Sequence, residues 1–201
     1  MASAVGAIHQ QLIFDRRTRV LARHFAELLP AGVVLDVGCG DGTIDVLIQE
    51  QRPDVAIRGV DVLVRPATKI PVEAFDGRHL PFADKSFDAV MFVDVLHHTD
   101  DPSVLIREAK RVARNAVTVK DHTMDGPLAY STLRLMDWVG NAHHGVALPY
   151  NYWPERRWRE AFAAVSLKPK EWRRSVGLYP FPASLIFDRG LHFVTTLEPA
   201  V

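Results

Sequence analysis

A chain of 201 residues with 24 Lys and Arg, 24 Asp and Glu and a formal net charge of zero carries no long-range field toward a polyanion, which disfavours nucleic acid as a partner. A hydrophobic fraction of 48% and a charged fraction of 24% fit one globular domain with a sizeable core and exclude a disordered or collagen-like chain. The single cysteine excludes an internal disulfide, and with no leader pattern and no apolar run near the roughly 18 residues of a membrane span the expectation is a cytoplasmic protein.

Residues 1–29 read as an N-terminal helical arm. Leu12, Ile13, Val20, Leu21, Phe25, Leu28 and Leu29 recur at helical spacing, and Arg16, Arg17, Arg19 and Arg23 fall to a solvated face. His9 and Phe14 read as surface residues, with a lid over a ligand as the alternative. Pro30 and Gly32 end the helix. Val33 to Val37 is a short apolar run, the mark of a strand buried on both faces of a parallel sheet. Gly38, Gly40 and Gly42 then alternate with other residues, and a helix-compatible pattern runs from Thr43 until Pro53. A strand, a glycine turn and a helix start make a cradle, because glycine permits positive φ and lets a ligand approach the backbone. Val55 to Val62 reads as the second strand, and Asp61 near its end is placed to accept a ribose hydroxyl pair.

The turn is G-x-G-x-G preceded by Asp36, which differs from the G-x-G-x-x-G of dinucleotide-binding folds. Downstream come Asp76, then Leu80-Pro81-Phe82, then Ser86-Phe87-Asp88 leading into an apolar strand, Ala89 to Val95, and Leu96-His97-His98. In this order and spacing, residues 30–121 resemble class I S-adenosylmethionine (SAM) dependent methyltransferases. The resemblance implies an α/β, Rossmann-like three-layer sandwich. Its sheet would be mostly parallel and seven-stranded, with an antiparallel C-terminal strand. It implies SAM as cofactor, held by Asp36, Gly38, Cys39, Gly40 and Gly42 at the turn and by Asp61 and Val62 at the second strand. Asp76, Gly77 and Arg78 would meet the adenine between the apolar walls of Leu80 and Phe82, and Asp94 and Val95 would lie near the methyl donor.

Pro102 to Val112 reads as a helix and Asn115 to Asp121 as the fifth strand. The alternation predicts a parallel sheet with Asp36, Asp61, Asp76, Asp94 and Asp121 at its carboxyl edge, where such sheets bind ligands. Residues 122–153, with Tyr130, Leu135, Met136, Trp138, Tyr150, Tyr152 and Trp153, read as a substrate lid containing a helix from Leu128 to Val139 and a loop from Asn141 to Leu148. The alternative is a plain helical cover. Residues 154–201 supply the rest of the sheet, with Trp158 and Phe162 on one helix face and strands at 167–176 and 192–197. The whole of 1–201 is expected to be one domain around a SAM-binding core at 30–121.

By the resemblance the reaction is methyl transfer. His97, His98, His143 and His144 are candidate general bases, since imidazole exchanges a proton near neutral pH. No metal site is expected, because adjacent histidines on a loop do not readily share one ion and no third ligand stands out. The Asn/Asp-Pro-Pro-Tyr/Phe motif of amide- and base-nitrogen methylating enzymes is absent after the fourth strand. The expected acceptor is a small or lipid-like molecule rather than nucleic acid. A membrane surface is compatible with this, and oligomeric state stays open. Two other classes compete: a non-catalytic SAM-binding scaffold, and a nucleotide-dependent oxidoreductase, which the glycine spacing and the Leu-Pro-Phe and Ser-Phe-Asp run disfavour.

Overall fold

The computed structural model describes residues 4–141 and 149–200. The seven strands are β1 (Gly32–Val37), β2 (Val55–Asp61), β3 (Val72–Ala74), β4 (Phe87–Val93), β5 (Ala113–His122), β6 (Leu167–Arg173) and β7 (His192–Pro199). They form one sheet in the order β3-β2-β1-β4-β5-β7-β6. The pairings from β3 to β5 are parallel, and β7 runs antiparallel to both β5 and β6. This is the expected Rossmann-like sandwich with one antiparallel strand near the C-terminus.

The helices are α1 (Ala4–Leu28), α2 (Thr43–Gln51), α3 (Pro102–Val112), α4 (Ala129–Asn141), α5 (Glu155–Ala164) and α6 (Ser184–Phe187). Alternation along each strand divides the core between two faces. Val34, Met91 and Val194 pack under α1 and α2 with Leu21, Phe25 and Ile48. Leu35, Phe92 and Phe193 pack on the other face with Leu105 and Ile106 of α3 and Trp158 and Phe162 of α5. Trp158 and Phe162 are fully buried, as their spacing predicts. Burying each such ring contributes roughly 1.5–3 kcal/mol from apolar area alone.

The connection at 62–71 contains no helix. β4 stops at Val93 because Asp94 takes a left-handed φ of 58°, which turns the chain out of the sheet. The expected strand from Ala89 to Val95 is therefore shorter at its end. β6 ends at Arg173, and the proline-broken segment before β7 holds the single turn of α6. The parallel register of β1 with β2 and β4 brings Gly38, Asp61 and Asp94 to the same edge of the sheet.

Candidate functional site

A cavity of about 620 Å³ opens at that carboxyl edge. This is ample for a cofactor-sized ligand. Its floor is Gly38, Gly40, Asp61, Val62 and Val95, and Phe14, Arg17 and Leu21 of α1 cover one side. His97, His98, Met136 and Asp137 form the far end.

The glycine turn has the shape the motif predicts. Gly38 and Gly40 have φ of 81° and 61°. A Cβ at Gly38 would strike Val95, whereas one at Gly40 would meet no protein atom, so the space over Gly40 is left for a ligand. Asp61 accepts the Gly40 N–H at 2.9 Å and the Leu63 N–H at 2.8 Å. Each of its oxygens keeps a second lone pair toward the cavity.

At the far end, a 3-10 turn (Leu96–His98) places two imidazoles over β5. Asp121 of β5 is fully buried, accepts the Leu96 N–H at 3.0 Å and faces Nδ1 of His97 at 2.7 Å. On the other side, Oδ1 of Asp137 lies 3.8 Å from Nε2 of His97 and 3.7 Å from Nε2 of His98. The Tyr152 hydroxyl donates to Asp137 Oδ2 at 2.8 Å. Burial pushes the His97 pKa down, but the charge and hydrogen bond of Asp121, joined by Asp137, override it and raise it to about 10. Without a ligand His97 is therefore an imidazolium at neutral pH, which holds a proton and does not take one.

Lys120 is fully buried and its ammonium pairs with Asp94. Arg17 approaches the same carboxylate at 3.6 Å and lies over the Tyr179 ring. Burial pushes Asp94 up, but Lys120, Arg17 and His97 hold its carboxyl well below the usual range. Burial and the charge of Lys120 keep the neighbouring His122 neutral.

Gly38, Gly40, Asp61, Val62, Asp94, Val95, His97 and His98 are brought together at the cavity. Several other expected residues are not. Asp36 shares the strand face of Val34, so its carboxyl is buried against Asp45 of α2 instead of facing the cavity. Burial and the Asp45 charge push its pKa well up. Cys39 packs against Gly59, and burial pushes its thiol up, leaving it unreactive. Gly42 lies against Ile70. Asp76 closes a local turn, accepting the N–H groups of Arg78 and His79 at 2.7 Å each, and Gly77 packs on Val62, so this turn stands beside the cavity lining. Leu80 is in the core, and Phe82 meets Phe87 edge-on at 4.9 Å, so neither is a cavity wall. Phe14 lines the cavity, which favours its lid alternative. Trp138 and Leu135 are exposed on the outer face of α4, which presents Met136 and Asp137 inward. His143 and His144 lie outside the described residues.

Sequence reasoning missed Asp137, Lys120 and Arg17. The signal for Asp137 is its spacing: Ala129, Leu133 and Asp137 make a buried i, i+4, i+8 stripe, and an acid on such a stripe needs a polar partner.

Residues 35–119 match the family described as a methyltransferase domain. The ubiquinone/menaquinone biosynthesis C-methyltransferase UbiE of Desulfotalea psychrophila is 34% identical over 93 residues, 42% of this chain and 38% of that protein. A tRNA (carboxymethyluridine(34)-5-O)-methyltransferase of Schizosaccharomyces pombe is 32% identical over 98 residues, 46% of this chain and 41% of that one. The chain thus spans under half the length of these curated relatives. Among solved structures, a candidate methyltransferase of Haloferax volcanii in complex with the Trm112 methyltransferase activator shares the fold at a TM-score of 0.72 and 17% identity, covering 96% of this chain and 94% of that one. With a tRNA methyltransferase among the relatives, neutral charge does not exclude a nucleic-acid acceptor. Among the described residues no helix is long and apolar enough to cross a membrane.

Proposed function

We infer that this chain, a member of the class I SAM-dependent methyltransferase family, holds SAM along its glycine turn and moves the methyl group to an acceptor at the histidine end of the cavity. The observation that carries this reading is the open space over Gly40, faced by the Asp61 carboxylate. When bound, SAM supplies an electrophilic methyl on a sulfonium that loses its charge as the methyl leaves. The bare backbone of Gly38 and Gly40 admits the ligand, and the remaining lone pairs of Asp61 accept the two ribose hydroxyls. The turn at Asp76 to Arg78, next to Val62, borders the adenine. Asp94, fixed by Lys120, places negative charge on the methionine side of the cavity, and Arg17 stands ready for a carboxylate. Phe14 and Leu21 of α1 and Met136 of α4 exclude water, which direct methyl transfer requires. His97, His98 and Asp137 then face the acceptor and orient it.

An acceptor confined between α1 and α4 is a small or lipid-like molecule. The test is incubation of the chain with methyl-labelled SAM and a cell extract separated into small-molecule, lipid and RNA fractions. Label is expected in the small-molecule or lipid fraction. Label in RNA alone overturns the acceptor class, and label in none overturns the enzymatic reading in favour of a SAM-binding scaffold.

A further inference from the structure

We propose that His97, His98 and Asp137 together bind one divalent transition-metal cation at the acceptor end of the cavity. Adjacent histidines are poor partners for an ion on an extended loop. The 3-10 turn changes that by bringing their rings together, tilted by 41° with centroids 4.1 Å apart. Helix α4 then supplies the third ligand from far along the chain. One ligand atom from each residue lies within 4.8 Å of the others. Oδ1 of Asp137 is 3.8 Å from His97 Nε2 and 3.7 Å from His98 Nε2. A cation with bonds of about 2.0–2.2 Å needs these two carboxylate–imidazole separations to draw in by only a few tenths of an ångström.

Two surrounding contacts have the form that metal sites use to aim their ligands. The Asp121 carboxylate holds Nδ1 of His97 at 2.7 Å, which turns Nε2 toward Asp137. The Tyr152 hydroxyl holds the second oxygen of Asp137 at 2.8 Å, which turns Oδ1 toward the two imidazoles. The ion would take the place of the proton between His97 Nε2 and Asp137. All three ligands line the cavity, so further coordination positions open toward it, as in a catalytic rather than a closed structural site. Two imidazoles and one carboxylate suit manganese, iron, cobalt or zinc, and not magnesium or calcium, which prefer oxygen alone. A second group, Asp94 with His97 and His122, also lies within ligand reach. Its carboxylate is already matched by the buried Lys120 ammonium, which would repel an ion. The consequence for catalysis, an acceptor oxygen held on the ion, rests on the methyl-transfer reading above; the binding itself does not.

The probe is Co²⁺, added to chelator-treated chain and followed by its visible absorption, with SAM binding measured calorimetrically on the same preparation. The expected result is one Co²⁺ per chain, displaced by Zn²⁺. Binding should weaken at least about tenfold in Tyr152→Phe and be lost in His98→Gln. Circular dichroism verifies that both variants are folded before binding is compared. Absence of stoichiometric binding to the parent chain overturns the proposal, as does unchanged binding in both variants. SAM binding without Co²⁺ binding removes the metal and leaves the methyl-transfer reading standing. Co²⁺ binding without SAM binding does the reverse.

Discussion

Asp61 accepts the backbone N–H of Gly40 at 2.9 Å, which ties the tip of β2 to the glycine turn after β1. The same carboxylate is thus a buttress for the turn and a wall of the cavity. Asp61→Ala orphans the two ribose hydroxyls and frees the turn. SAM affinity is expected to fall by about 1–3 kcal/mol, or more if the loosened turn adds to the loss. Calorimetry measures it, and an unchanged affinity removes Asp61 from the site.

Gly38 and Gly40 separate packing from binding. Gly40→Ala puts its Cβ in open space at a left-handed φ of 61°, at a backbone cost of about 1–2 kcal/mol. Gly38→Ala adds to the same strain a collision 2.5 Å from the Val95 side chain. Gly38→Ala is expected to melt lower than Gly40→Ala, whereas Gly40→Ala folds and still binds SAM weakly. Thermal melts with and without SAM distinguish the two.

Asp36 and Asp45 are neighbouring buried carboxyls, and burial with their mutual charge favours the protonated form of the pair. Burial raises the Asp45 pKa from 3.8 to about 6. Between these values the folded chain binds a proton that the unfolded chain has released. The stabilising contribution is therefore complete below about pH 4 and is lost as pH rises through about 6. Asp45→Asn removes the penalty and lets the amide donate to Asp36. Urea unfolding is expected to show the variant more stable than the parent by on the order of 1–3 kcal/mol at pH 8, with the gap closing toward pH 4. A gap that does not change with pH contradicts the raised Asp45 pKa.

Lys120, fully buried, pairs at the site with Asp94, whose side chain keeps 22% exposure. Lys120→Met leaves the Asp94 carboxylate to Arg17 and is expected to destabilise the fold by less than the roughly 3–5 kcal/mol of breaking a fully buried pair. Adding Asp94→Asn should restore part of that. A double-mutant cycle in urea reads the coupling, and simple additivity contradicts it.

Which features were legible follows from where their causes lie. The sheet, its order of elements and the glycine turn come from local patterns: the apolar runs at Val33–Val37 and Ala89–Val93, the alternating glycines, and the Trp158–Phe162 spacing. Asp61 could be read because strand-end position alone puts it at the ligand edge. Asp36 could not, since strand alternation turns its side chain toward α2, and only the position of Asp45 shows what it meets. The histidine cluster depends on a contact between residues 97 and 137, set by how α4 docks, and no local pattern encodes that docking. A charged residue on a buried stripe, as at Lys120 and Asp137, was the one trace it left.

The central claim is that the space over Gly40 is where SAM sits. Calorimetric titration with SAM of the parent chain and of Gly40→Val, both shown to be folded by circular dichroism, tests this directly. The account predicts one SAM site per parent chain and no measurable binding by the folded variant, whose side chain fills the space. Absence of SAM binding to the parent chain, or equal binding by Gly40→Val, would contradict it.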